Sequence, residues 1–278
     1  MTDRVLVTGA TGGVGQLTVA KLLEKSFSVR VLTRSAEKAE KMFDGKVEVA
    51  IGDVRDRTTL PPATQDITHI ICCTGTTAFP STRWELEIAP ETQGFAQWFA
   101  WGKVFLDAEY CRTKARNSPE KVDAEGVNNL VAAASPDLKR FVFVSSCGVE
   151  RKDQPPYNIL NLFGVLDAKQ KGEAAIVESG LPYTLIRPGR LIDGPYTSYD
   201  LNTLMKASTG GKSGVTIAPG DSLNGQSSRV DVAAACVECL NDPVTAGKAF
   251  GLINQGTRPA VMDWATLFAQ LNSPDPSA

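Results

Sequence analysis

Hydrophobic positions along this chain change period in a regular alternation. Val5, Leu6 and Val7 form an apolar run that ends at Thr8, as a buried strand does. From residue 14 to 24 the apolar positions return at helical spacing, at Val14, Leu17, Val19, Ala20, Leu22 and Leu23. Residues 26–33 alternate as a second strand, and residues 36–43 read as a short helix stopped by Asp44-Gly45. Residues 47–51 and 67–73 read as a third and a fourth strand. A helix over 119–134, a strand over 140–145, a long helix over 158–179 and a strand over 183–187 continue the series. A helix over 230–240, a short strand over 249–253 and a terminal helix over 262–271 complete it. Strand and helix in turn predict right-handed βαβ units, hence an α/β fold with a doubly wound parallel sheet.

Two stretches depart from this rhythm. Residues 76–118 hold three of the four tryptophans, Trp84, Trp98 and Trp101, and read as an aromatic-rich insertion. Over 94–115 the positions Phe95, Trp98, Phe99, Phe105 and Leu106 suit one helical face, with Lys103, Asp107, Arg112 and Lys114 opposite. That face either packs on the parent domain or serves as a lid or partner-binding surface. Residues 191–228 are rich in Gly, Ser and Thr and read as loose structure. The expected organisation is one nucleotide-binding domain over 1–271. Its small C-terminal substrate subdomain is drawn from 189–271, and 272–278 form a frayed tail.

The chemistry starts at the first strand's end, where TGATGGVG runs from Thr8 to Gly15. A strand ending in a tight glycine turn that opens a helix brings bare backbone N–H groups against a pyrophosphate. Gly9 permits the turn, Gly12 leaves room for phosphates, and Gly15 lets helix and strand pack closely. Thr8, Thr11, Gly13 and Val14 complete that candidate cofactor segment. NAD binders hold the ribose hydroxyls with an acid at the end of the second strand. Here the strand runs into Thr33-Arg34-Ser35, with no carboxylate before Glu37. A guanidinium there suits a 2′-phosphate, so NADP(H) is expected over NAD(H). Asp53-Val54, past the third strand, falls where an acid can accept from an adenine amino group, although Asp is also a common turn residue. Cys73, Thr74 and Gly75 after the fourth strand, and Pro188 after the sixth, would line the crevice at the strands' carboxyl ends.

Composition narrows the alternatives. The chain has 278 residues, 42% hydrophobic and 22% charged, with a formal net charge of −2. That balance argues against nucleic-acid and membrane-surface binding, both of which favour clustered basic charge. No apolar run reaches membrane-spanning length, and no signal or transit segment is evident. One histidine, His69, excludes a multi-histidine metal site and argues against a Ser-His-Asp triad; it reads as a strand-entry residue near the surface. The cysteines at 72, 73, 111, 147, 236 and 239 follow no disulfide spacing and read as buried reduced thiols, Cys147 being the one expected beside the nicotinamide. No metal site is expected. The compartment is expected to be the cytoplasm, or the plastid stroma if a transit peptide has been lost.

The chain resembles the atypical short-chain dehydrogenase/reductases, near the NmrA-like group and its cyanobacterial and chloroplast members. The resemblance rests on TGATGGVG, VLTRS (31–35), GDVRD (52–56), EGVNNLVAAA (125–134), FVFVSSCGV (141–149), DAKQKGE (167–173), SGLPYTLIRPG (179–189) and SRVDVAAA (228–235). These motifs span nearly the whole chain outside the insertion. The resemblance implies a Rossmann-type sheet and a catalytic Ser with a Tyr-x-x-x-Lys pair on one helix. In that family the lysine lowers the tyrosine pKa and holds the nicotinamide ribose, and the phenol moves the proton. Ser146 matches the serine and Lys169 the lysine, which also counts among the expected cofactor residues. Val165 stands where the tyrosine belongs. Tyr157 reads as too far upstream to substitute. Asp193, Tyr196, Tyr199 and Asn202 are candidates on the substrate side, with Arg229 and Asp231 supporting that loop.

Two functions follow as expectations. One is an NADPH-dependent reductase of a small hydrophobic or quinone-like acceptor. The other is a non-catalytic NADP(H)-binding redox sensor or assembly factor whose protein partner meets the insertion.

Overall fold

Eight strands form one sheet in the order β3-β2-β1-β4-β5-β6-β10-β8 in the computed structural model, which describes residues 3–87, 102–104, 106–194, 199–208 and 213–272. The strands are β1 Arg4–Thr8, β2 Ser28–Thr33, β3 Glu48–Ile51, β4 His69–Cys72, β5 Arg140–Val144, β6 Tyr183–Pro188, β8 Ser213–Pro219 and β10 Lys248–Thr257. All neighbouring pairs run parallel except β10 with β8. The order reverses between β1 and β4, and a doubly wound sheet opens its ligand crevice at that switch point. A separate parallel pair joins β7, Arg190–Leu191, to β9, Gln226–Ser227.

Both faces of the sheet are buried, so its strands read as continuous apolar runs. Val5, Val7, Val29 and Val31 pack on one side with α1, Gly15–Glu24, and α6, Arg229–Glu238. Leu6, Ile70, Phe141 and Phe143 pack on the other with α4, Gly126–Ala133, and α5, Val165–Glu178. Further helices are α2, Ala36–Phe43, α3, Ala108–Lys114, and α7, Trp264–Ala269, beside short turns of helix at Pro61–Thr64, Tyr157–Leu160 and Leu201–Met205. Buried guanidinium groups are satisfied by carboxylates or by neutral oxygens, as Arg140 is by Thr184, Thr245 and the Cys239 carbonyl. Arg187 meets Glu173 through two hydrogen bonds of 3.0 and 2.7 Å, as a charge in this core must.

The structure corrects several local expectations. The helix foreseen over 158–179 is broken. Tyr157–Leu160 forms one turn, Gly164 adopts φ 79°, and α5 starts at Val165. Asn161 Oδ1 accepts from the N–H groups of Leu166 and Asp167, so a side chain three residues before the glycine opens the second helix. The helix foreseen over 119–134 begins with a wide π-type turn, Glu120–Glu125. Part of the region read as loose is the strand β8, which pairs antiparallel to a ten-residue β10. His69 lies fully inside the sheet at 1% exposure, its Nδ1 2.8 Å from Thr68 Oγ1, and not near the surface.

In the insertion, Phe95, Trp98, Trp101 and the ring of Phe105 fall outside the described residues, as does Phe99. The described part divides at Asp107, whose side chain caps α3 by accepting from Tyr110 N–H. Leu106, placed on the apolar helical face, is 90% exposed. Trp84 is fully buried, edge-on to Phe163 at 6.0 Å, and its indole N–H donates to Thr77 Oγ1. That tryptophan anchors the insertion to the turn before α5.

Candidate functional site

The glycine turn is built by close approach. Gly9 adopts φ 66°, and a Cβ there would lie 2.7 Å from the Cys73 carbonyl and the Thr74 nitrogen. A Cβ on Gly15 would lie 2.2 Å from Gly9 O, so α1 presses its first turn onto the end of β1. No side chain caps the N-terminus of α1, and its first turn carries no acid. Gly12, Gly13 and Val14, leading into this uncapped start, border the crevice, an arrangement that suits phosphate. Thr8 and Gly15 line neither cavity described below; both are buried supports, Thr8 accepting a 2.8 Å hydrogen bond from Thr74 Oγ1.

Two cavities meet over this turn. The first, about 470 Å³, is lined by Gly9, Thr11, Gly12 and Gly13, by Arg34 and Ser35 from the β2–α2 connection and Lys38 of α2, by Asp53, Val54 and Arg55, and by Cys73, Thr74 and Gly75. The second, about 1040 Å³, shares Gly12, Gly13 and Cys73–Gly75. It adds Val14, Ser146, Cys147, Val165, Lys169 and Pro188. The predicted cofactor residues are thus drawn together from both halves of the chain, apart from the two supports.

Several assigned side chains already hold partners. Arg34 Nη1 lies 3.0 Å from Glu85 Oε1, a carboxylate that the sequence reading had not singled out. Asp53 accepts from Nε and Nη2 of Arg55, so its carboxylate is clasped by a guanidinium. Burial raises the Asp53 pKa, but the Arg55 hydrogen bonds outweigh it and hold the carboxyl below its usual value. Lys169 is buried. Its Nζ lies 2.8 Å from Asp123 Oδ1 and 2.9 Å from Val144 O, and 4.7 Å from the centre of the Phe143 ring. Asp123, fully buried, also accepts from Thr76 N–H and Oγ1 at 3.0 and 2.6 Å. Asp123 had no sequence signal beyond its place in a wide helical turn.

One turn before Lys169, Val165 faces the same cavity at 8% exposure. The sequence placed Tyr157 too far away, yet its ring lies on this cavity wall against Val165 and Leu166. The broken helix brings it there, and Gly148 makes the space, since a Cβ on Gly148 would lie 2.0 Å from Tyr157 Cδ1. The Tyr157 hydroxyl is held by Asn224 and by Arg151. Burial raises its pKa against the opposing Arg151 charge. Ser146 Oγ donates to Cys147 O at 3.0 Å. Cys147 lines the cavity, but its thiol turns inward to Arg187 O at 2.9 Å, and burial pushes it up to about 12. Cys236 and Cys239 are buried, and no metal-holding cluster exists among the described residues.

On the substrate side, Asp193 is a helix cap. It accepts from Arg229 N–H, Val230 N–H and the Ser228 hydroxyl. Asp231 is buried against Arg258 and Asn254. Arg229 lies over the glycine turn, with its Nε where a Gly13 Cβ would come within 2.9 Å. Tyr196 falls outside the described residues. Tyr199 and Asn202 do not line either cavity.

A family model described as NAD(P)H-binding matches residues 9–243. The chain belongs to this NAD(P)H-binding family. Membership agrees with the atypical short-chain dehydrogenase/reductases and with the mostly parallel sheet. Sanguinarine reductase of Eschscholzia californica is 32% identical, over 97% of this chain and 96% of its own length. Protein TIC 62, chloroplastic, of Arabidopsis thaliana is 30% identical over 92% of this chain, which spans only 36% of that relative. Among solved structures, an NAD-dependent epimerase/dehydratase candidate from Bacillus halodurans superposes with a TM-score of 0.67. It is 24% identical and covers 97% of this chain and 100% of its own, a likeness of fold. No helix among the described residues is long and apolar enough to cross a membrane.

Proposed function

We propose that this chain is an NADPH-dependent reductase of a hydrophobic acceptor. The observation that carries the reading is the cavity of about 1040 Å³ opening directly from the glycine turn. It is larger than a nicotinamide needs, and Ala78, Phe79, Pro155, Pro156, Leu160 and Leu191 give it apolar walls. A bound nicotinamide supplies hydride chemistry. The chain's own residues would do the rest. Gly9, Gly12, Gly13 and the start of α1 hold phosphate. Arg34, Ser35 and Lys38 form the pocket for a 2′-phosphate, and Cys73–Gly75 with Pro188 flank the ring. Lys169 fixes the floor beneath Gly75, where a Cβ would come within 3.1 Å of its Nζ. Ser146 and Tyr157, whose hydroxyl Arg151 holds, would be the proton donors on the cavity wall. The sanguinarine reductase relative, matched along nearly its whole length, supports reduction.

The rival reading is a binding protein that senses the NADP(H) couple without turnover. Val165 in the tyrosine position and the engagement of Lys169 by Asp123 favour it. The chloroplastic relative supports a plastid or similarly reducing compartment, where six free cysteines persist. The test is NADPH consumption by purified protein with a panel of quinones and enones. Turnover with any of them is the expected result. Tight NADPH binding without turnover across the panel hands the site to the rival.

A further inference from the structure

The large cavity carries charge of one sign. Arg83, Arg151, Lys169, Arg190 and Arg229 contribute to its wall, and no Asp or Glu does so among the described residues. Three of these cations are balanced from behind. Lys169 pairs with Asp123 at 2.8 Å, Arg151 with Asp221 at 3.3 Å, and Arg229 with Asp193 at 3.7 Å. Arg83 and Arg190 have no carboxylate within ion-pair distance among the described residues. They stand on different walls, Arg83 in the Thr82–Trp84 turn beside buried Trp84 and Arg190 on β7 past the end of β6. Both are solvent-facing at the cavity, so neither carries the cost of a buried unpaired charge.

The dinucleotide does not account for them all. Its 2′-phosphate has Arg34 and Lys38 in the first cavity, and its pyrophosphate has the start of α1 beneath Arg229. Arg83 borders both cavities, whereas Arg190 and Arg151 border only the second. Cationic groups beside an apolar, aromatic-edged space match one ligand chemistry, an apolar body bearing an acidic group. A cationic acceptor would meet repulsion from every charged side chain on that wall.

We propose that the acceptor is a carboxylate-bearing apolar molecule whose acid group is drawn to the rim of this cavity by the field of its unpaired cations, Arg190 and Arg83. This rests on the reductase reading and names its substrate class. The test uses three anthraquinones with one ring system, carrying a carboxylate, its methyl ester, or a quaternary ammonium group. Affinities are measured by tryptophan quenching with NADP⁺ present, so that no turnover occurs. The carboxylate is expected to bind about tenfold tighter than the ester at low salt, with the ammonium compound weakest. Arg190→Gln and Arg83→Gln are each expected to close the acid–ester gap by about threefold, and added salt to shrink it further. Equal affinities for all three, absence of binding by any, or a gap unmoved by both variants overturns the proposal. NADPH oxidation is then read separately. Acid preference without oxidation keeps the anion site and removes the reductase reading, whereas oxidation of the ester alone does the reverse.

Discussion

Glu85 places a carboxylate oxygen 3.0 Å from Nη1 of Arg34, inside the cavity that would receive the adenosine end of a dinucleotide. The same carboxylate lies 4.0 Å from Arg55 Nη1, and Arg55 in turn clasps Asp53. An acid that the second strand lacks is therefore delivered to the site from the insertion. A 2′-phosphate must share or displace it. Glu85→Gln is expected to strengthen NADPH binding about threefold while leaving NADH nearly unchanged, because the pair is half exposed and screened. Arg34→Ala is expected to weaken NADPH about tenfold, with NADH within twofold. Parallel titrations of both nucleotides check this. An unaltered preference in Arg34→Ala would make Arg34 a surface residue.

Lys169 and Asp123 form a buried pair whose loss is a stability event. Lys169→Ala leaves the Asp123 carboxylate, fully buried, with only Thr76 to answer it. The expected cost is about 3–5 kcal/mol, a fall in Tm of about 10 °C. Lys169→Ala with Asp123→Ala is expected to recover a good part of that loss, since no charge is then stranded. Thermal melts of the two singles and the double give the coupling directly. Equal, additive losses would mean that the two groups act independently.

The sequence and the structure agree where the physics is local, and part where a distant side chain intervenes. TGATGGVG could be read outright, because a glycine turn between a strand and a helix has few uses. Ser146, Lys169 and Val165 fell on the cavity wall because strand ends and helix spacing fix their places. Glu85 and Asp123 were not legible. Glu85 reaches Arg34 from the insertion and Asp123 reaches Lys169 from the wide turn after it, and neither has a spacing that marks it. Tyr157 was misjudged since the break at Gly164, set by Asn161, folds the chain back. His69 was misjudged because a neutral ring beside Thr68 is tolerated inside a sheet.

Cys147 makes a pH-dependent contribution with a definite sign. Its ordinary value is 9.0, and burial pushes it up to about 12 in the folded chain. Below pH 9 both states keep the proton, and the thiol contributes nothing to the pH slope. Between about pH 9 and 12 the unfolded chain releases a proton that the folded one retains, so stability falls as pH rises. Cys147→Ala is expected to remove part of that fall, seen in Tm series from pH 8 to 10.5. Native protein is also expected to resist alkylation at Cys147 at pH 8. Rapid labelling there would instead mark an accessible thiolate.

The central claim is that the crevice uses its dinucleotide as well as holding it. Incubation with NADPH deuterated at the nicotinamide C4 position, separately on each face, and an apolar quinone or enone tests that most directly. The account predicts deuterium in an enone product and from one face alone, with quinone reduction matched one to one by NADPH loss. NADPH bound tightly, recovered unoxidised and undepleted in label with every acceptor, would contradict it.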